Sequence, residues 1–166
     1  MALSDDIELL GGITLFDGFP AEQLRLLAFG SRRLFLRGGE VLFQEGDASD
    51  GGYVIVKGQL DLTVMAGNRE KILSSQLAGS LVGEVTLVTS NRRVTNAIAR
   101  TNCELIFMPR ELFLRMLREY PELAASMHRR LADSVRLMMK DMSEVHHKME
   151  SIPNLHLAIE PQDGEG

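Results

Sequence analysis

The 166-residue chain has no tryptophan, one cysteine and few aromatic side chains, seven Phe and two Tyr. Cys103 alone cannot close an internal disulfide, and its place in a strand-like run marks a buried thiol, so a reducing compartment is expected. No run of about 18 apolar residues occurs, which leaves no candidate membrane-spanning helix. The start, Met1-Ala2-Leu3-Ser4-Asp5-Asp6-Ile7-Glu8, lacks the basic region and apolar core of a secretory signal, and a cytoplasmic location is expected. Positive charge is also in deficit. Eighteen Lys and Arg against 23 Asp and Glu give a net charge of −5 and a pI near 5.4, which argues against a general nucleic-acid surface. Catalytic signatures are missing as well. Gly79-Ser80-Leu81-Val82-Gly83 lacks the Gly-x-Ser-x-Gly order of a nucleophile elbow, and no Walker-type phosphate loop is present. His146 and His147 sit about 100° apart on a helix and so do not share a face as metal-binding i, i+4 pairs do. Neither an enzyme, nor a metal, nor a prosthetic group is expected.

What is present has the size of one domain, able to bury roughly 70% of the surface of its unfolded chain. Residues 4–29 read helical: Ser4 with Asp5 and Asp6 suits an N-terminal cap, and Pro20 opens a second helix. From 31 to 108 the pattern changes to short apolar runs bounded by Gly, Asn and Asp: Leu34-Phe35-Leu36, Val41-Leu42-Phe43 and Tyr53-Val54-Ile55-Val56. Leu60, Leu62 and Val64 alternate with Gln59, Asp61 and Thr63, the period of a half-buried strand, and Gly67-Asn68 marks a turn before Lys71-Ile72-Leu73. Short strands at close spacing predict an antiparallel sandwich or barrel. After Pro109, Phe113, Met116, Leu117 and Tyr120 fall at i, i+3, i+4 and i+7 of a helix, and Pro121 starts another.

From Pro121 to Met149 the chain has no further Gly or Pro, and Leu131, Val135, Met138, Met142, Val145 and Met149 recur at steps of four and three. Those steps are the seam of a coiled coil. Two readings fit: the helix lies along its own barrel, or it pairs with a second copy. The homodimer through Leu131–Met149 is preferred, because the off-seam Leu137 and Met139 can cover the barrel while the seam faces a partner. Residues 150–166, with prolines, glycines and acids, are expected to be a disordered tail, although Leu155-His156-Leu157-Ala158-Ile159 alternates like a strand.

The stretch Gly83-Glu84-Val85-Thr86-Leu87-Val88-Thr89-Ser90-Asn91-Arg92-Arg93-Val94-Thr95 combines three devices. A carboxylate beside a glycine accepts from a sugar hydroxyl, a short helix start points free N–H groups at an anion, and an arginine forks onto phosphate oxygens. The order resembles the phosphate-binding cassette of the cyclic nucleotide-binding family. The Leu42–Gly58 segment, with its Gly46-Asp47 turn, aromatic-aliphatic strand and closing glycine, resembles the same family. Similarity extends over about residues 12–145. It implies an α+β fold: an antiparallel jelly-roll-like β-barrel (double-stranded β-helix) flanked by N-terminal helices (1–30) and, within 31–149, a long C-terminal helix.

The resemblance further implies that Glu84 accepts the ribose 2′-hydroxyl, that Gly83 and the N–H groups of Val85 and Thr86 approach the sugar-phosphate, and that Arg93 pairs with the cyclic phosphate. Glu84 and Arg93 forming an internal salt bridge is the plainer alternative. Arg130 and Ser134, on the long helix, are the polar candidates for a lid over the base. Family members often carry Ser, Thr or Ala where this chain has Val94. The change weakens a preference for cGMP, and the next hydroxyl, Thr95, comes one residue late. Ser49 and Gly52 also depart from the family pattern, and the expectation is that they affect packing only. The 17 residues after Met149 are too few for a helix-turn-helix reader, so no DNA partner is expected. The reading is a cyclic nucleotide sensor, cAMP ahead of cGMP, that signals through helix rearrangement to a protein partner. An interaction or scaffold protein that keeps the fold without nucleotide is the alternative.

Overall fold

A computed structural model describes residues 3–130 together with 132, 133 and 136. The chain divides into two units, Met1–Met127 and His128–Gly166. The first begins with α1 (Leu3–Gly11), a 3-10 turn at Thr14–Phe16, and α2 (Ala21–Gly30). Pro20 caps α2 in extended conformation, whereas Ser4 lies inside α1 and not ahead of it. Eight strands follow: β1 (Arg32–Leu36), β2 (Val41–Phe43), β3 (Gly51–Lys57), β4 (Leu60–Ala66), β5 (Arg69–Gln76), β6 (Leu81–Val82), β7 (Asn96–Ala99) and β8 (Cys103–Pro109). Then comes α3 (Arg110–Glu119), and residues 121–130 are helical.

The strands form two antiparallel four-stranded sheets, ordered β1-β8-β3-β6 and β2-β7-β4-β5. The expected barrel is therefore corrected to an α+β fold with two open sheets. Edge strands β1, β6, β2 and β5 each pair on one side, so among the described residues no ladder closes the ring. Alternation sets the interior only in part: Leu60 is buried and Leu62 half-buried, but Asp61 and Thr63, expected on the solvent face, are buried as well, and the register of β4 against β5 shifts between Leu62 and Thr63. Leu60 and Leu62 join Phe43, Ile55, Val82, Ala97, Ala99 and Leu105 in one apolar cluster. Asp61, on the same strand as Leu60, is 1% exposed and is satisfied by Ser75 Oγ at 2.7 Å, Gln59 Nε2 at 3.2 Å and Arg100 Nε at 2.6 Å. Cys103 is buried, and its Sγ–H donates to carbonyl oxygens of Gln59 and Thr101, each at 3.3 Å.

A second apolar layer lies among the helices. Phe113 and Met116 of α3 are buried, as the i, i+3 spacing predicts, together with Leu10, Leu24 and Leu27 of the N-terminal helices. Phe16 stands 5.8 Å from Phe113 and 5.5 Å from Phe19, ring to ring, in tilted pairs worth about 0.5–1.5 kcal/mol each beyond their burial. Arg33 of β1 pairs with Asp6 of α1 at 2.8 Å, fixing the first helix to the first sheet. The seam residues Leu131, Val135, Met138, Met142, Val145 and Met149, and the tail 150–166, lie outside the described residues.

Candidate functional site

Strand β6 is two residues long and delivers the chain into Gly83, whose φ is +86°. A side chain has no room there. A Cβ would lie 2.5 Å from Thr86 Oγ1 and 2.8 Å from Arg93 Nη1. Glu84 then starts a single 3-10 turn, Val85–Leu87, closed by the Leu87 N–H to the Glu84 carbonyl at 3.3 Å. The amides of Val85 and Thr86 precede that first bond, as at any helix start. Thr86 is buried, and its hydroxyl donates toward the carbonyls of Gly51, at 2.9 Å, and Gly83. Further along, the Arg93 N–H donates to the Asp47 carbonyl at 2.8 Å, and the Gly46 N–H donates to the Arg93 carbonyl at 2.7 Å. Exposed Arg92 donates through Nη1 to the Gly46 carbonyl at 2.9 Å.

The Arg93 side chain turns inward from this frame and keeps only 6% of its surface exposed. Nη2 donates to the Gly51 carbonyl at 2.9 Å, and Nη1 approaches Thr86 Oγ1 at 3.4 Å. Its Cζ stands 4.3 Å from the centroid of the Phe43 ring and 5.5 Å from that of Tyr53. Among the described residues no carboxylate lies within ion-pair distance of the guanidinium. Burial pulls the Arg93 pKa below its ordinary value, against the favourable fields of Tyr53, Asp50 and Asp47. Arginine stays protonated regardless, so this is a buried positive charge whose five N–H donors meet the Gly51 carbonyl and Thr86 Oγ1, with the Tyr53 phenol oxygen as a further hydrogen-bonding neighbour. Burial likewise pushes the Tyr53 phenol up, while Arg93 draws it down.

The other expected residues are distributed more widely. Glu84 lines a polar groove bounded by Gly12 to Leu15, Gln76 and Gly79 to Leu81, a groove that Arg93 does not line. The internal Glu84–Arg93 salt bridge is absent among the described residues. Val85 and Val94 are exposed, at 49% and 77%, and Thr95 sits in a bend before β7, so strand alternation has not yet begun there. Arg130 belongs to the second unit, and Ser134 lies outside the described residues. Thus Gly83, Thr86 and Arg93 are brought together, and Glu84 opens onto a neighbouring surface.

Three participants escape the cassette reading. Phe43 and Tyr53 flank the guanidinium from strands β2 and β3, and their aromatic character at the two ends of the Gly46–Gly52 turn is the only trace of this in sequence. Arg110, first residue of α3, donates through Nε to the Thr86 carbonyl at 2.8 Å and through Nη2 to the Ser49 carbonyl and, at 3.0 Å, to Ser49 Oγ. Ser49 is therefore hydrogen-bonded into the cassette frame, whereas Gly52 acts through packing as expected. A Cβ on Gly52 would lie 3.3 Å from the Gly83 carbonyl and 3.2 Å from Leu87.

Residues 33–120 match the family described as cyclic nucleotide-binding domain. The chain is 32% identical over 129 residues to a cyclic AMP receptor protein of Thermus thermophilus, covering 74% of this chain and 59% of that protein. It thus spans about three fifths of that relative. A solved cyclic nucleotide-binding-like protein from Brucella abortus is 40% identical, with a TM-score of 0.64 over 69% of this chain and 98% of that one. The N-terminal domain of a transcriptional regulator from Streptomyces coelicolor is 27% identical, with a TM-score of 0.74 over 81% of this chain and 94% of that one. The chain belongs to the cyclic nucleotide-binding domain family.

Proposed function

We propose that this protein is a non-enzymatic cyclic nucleotide sensor that takes cAMP in preference to cGMP, with Arg93 as the seat of the cyclic phosphate. The observation that carries this reading is the buried guanidinium. A charge removed from water is costly unless paired, and Arg93 has spare donors and no carboxylate. A phosphodiester monoanion supplies the missing charge, with fork geometry suited to arginine. Gly83 lets the sugar-phosphate approach the backbone, and the amides of Val85 and Thr86 stand at the helix start. Glu84 is the sugar contact; its carboxylate turns from the groove beside Gln76 and Ser80 when ribose enters. Val94 offers no hydroxyl to guanine, which favours adenine, while Arg130 and Ser134 are the lid candidates. Family membership and the cyclic AMP receptor relative support the ligand class.

The same reading places the protein in the cytoplasm as a homodimer through Leu131–Met149, with nucleotide shifting that helix to alter binding to a protein partner. Arg110 suits such coupling because it ties the start of α3 to the cassette carbonyl of Thr86. Calorimetric titration with cAMP, cGMP and a cyclic dinucleotide tests it: saturable heat with cAMP tightest is expected, and no heat with any of the three refutes it. One observation favours the scaffold alternative. Gly51 and Thr86 already accept from Arg93, so the guanidinium is partly satisfied without ligand. That alternative predicts the silent titration.

A further inference from the structure

Apart from the cassette, the molecule carries a mixed-charge cleft around Arg32, Asp50 and Arg118, an apolar patch on β5, and an aromatic group beside Arg93. Only the last has geometry that defines a task. Phe43 and Tyr53 lie 6.1 Å apart, Tyr53 lies 5.1 Å from Phe107, and Arg32 stands over Phe107 at 4.8 Å. The rings thus form a continuous run of contacts, with Arg32 against Phe107 and Arg93 against both Phe43 and Tyr53. Arg93 is within the roughly 6 Å reach of a cation–π contact to both Phe43 and Tyr53.

We propose that Phe43 and Tyr53 are positioning residues for Arg93, holding the guanidinium in the interior by cation–π attraction in place of a carboxylate. The inference rests on the reading of Arg93 as the phosphate seat and concerns how its charge is held without a carboxylate. A buried guanidinium needs compensation before ligand arrives. A carboxylate would give it, but would remain as a competitor for the same donors and would repel a phosphate. Ring faces attract the cation through their quadrupole, carry no net charge, and do not themselves occupy the in-plane N–H donors. The Gly51 carbonyl fixes one edge of that plane through Nη2. Gly51 can stand there because it has no side chain: a Cβ would lie 2.1 Å from the Met108 carbonyl oxygen.

The ring, and not the phenol hydroxyl, does the holding, which separates Tyr53→Phe from Tyr53→Leu. Binding of cAMP by full-length Tyr53→Leu or Phe43→Leu should weaken about 5- to 30-fold, the range set by a desolvated cation–π contact, with Tyr53→Phe within about twofold of wild type. NMR of the Arg93 Nε–H group, assigned by its loss in Arg93→Ala, provides a ligand-free readout. The resonance should be shifted upfield by ring currents in wild type and Tyr53→Phe, and should move downfield in either Leu variant. Unchanged affinity and an unchanged resonance in Tyr53→Leu overturn the proposal, even if Phe43→Leu fails to fold. If wild type binds no cAMP, the phosphate reading fails by itself, and the positioning claim stands or falls on the Nε–H shift. Tyr53→Phe behaving like Tyr53→Leu also overturns it, since the hydroxyl would then be the active group.

Discussion

Replacing Gly83 by alanine tests whether the cassette is as tightly built as its geometry indicates. Two separate costs follow from the structure. The first is backbone strain, because a φ of +86° costs a residue with a Cβ about 1–2 kcal/mol. The second is crowding, because the new methyl would lie 2.5 Å from Thr86 Oγ1 and 2.8 Å from Arg93 Nη1. Thr86 is held by two carbonyls and Arg93 by two adjoining rings and a carbonyl, so neither can yield without losing a contact. Losing one such buried bond adds about 1–3 kcal/mol. Gly67 provides the control, since its φ is +68° but nothing lies within 4 Å of its Cβ position. Gly67→Ala should carry only the strain cost. At about 2–4 °C per kcal/mol for a chain of this size, it should lower Tm by roughly 2–8 °C, and Gly83→Ala by several degrees more. Differential scanning calorimetry reads both, and cAMP titration should show the Gly67 variant binding normally and the Gly83 variant weakened. Equal melting points and equal affinities for the two variants would refute the packed Gly83–Thr86–Arg93 contact.

Asp61 predicts an acid-side instability. Burial alone would raise its carboxyl pKa, but hydrogen bonds from Ser75, Arg100 and Gln59 outweigh that, and the net direction is downward. A depressed folded-state pKa contributes stability above the ordinary Asp range, near 4, that is lost as pH falls through the lower folded value. Asp61→Ala should cost about 1.5–3 kcal/mol at pH 7, and urea unfolding from pH 7 down to pH 3 should show the gap to wild type shrinking. Val94→Thr should narrow or reverse the ratio of cAMP to cGMP dissociation constants in paired titrations, and an unchanged ratio would move base recognition away from this position. The proposed homodimer through Leu131–Met149 predicts that Met138→Glu dissociates it, because an unpaired charge buried at an apolar interface costs several kcal/mol. Light scattering at tens of micromolar decides it: a wild-type mass near the 18.4 kDa of one chain removes the dimer, and a mutant still at twice that mass places the interface elsewhere.

The fold was legible where one residue's neighbours in sequence decide its environment. Alternation at Leu60, Asp61 and Leu62 located β4 but not its burial, since Asp61 and Thr63 are buried more fully than Leu62 and Val64, and the Phe113 and Met116 spacing located the buried side of α3. Sheet closure was not legible, because nothing in β2 or β5 states whether a further strand pairs with its free edge. The cassette was legible as a pattern of residue types, while its three-dimensional partners were not. Arg93 meets Gly51, Phe43 and Tyr53, which stand 40 to 50 positions earlier and in sequence signal only a turn and two strands. The positive φ of Gly83 and the close approach of Gly52 explain why two glycines that look like loop residues shape the site. Glu84 carries a further lesson. Its spacing from Arg93 suggests a facing pair, but a 3-10 turn intervenes, and Glu84 lines the groove beside Ser80 that Arg93 does not line.

The central claim is that the buried guanidinium of Arg93 is a seat for a cyclic phosphate. The most direct measurement is isothermal titration of wild type and Arg93→Ala with cAMP, with adenosine as the ligand that lacks the phosphate. Removing a charged hydrogen-bonding partner is worth about 1.5–3 kcal/mol, so cAMP should bind Arg93→Ala about 10- to 150-fold more weakly, while any adenosine binding stays the same. Equal cAMP affinities for the two proteins, with both folded by circular dichroism, would contradict the account.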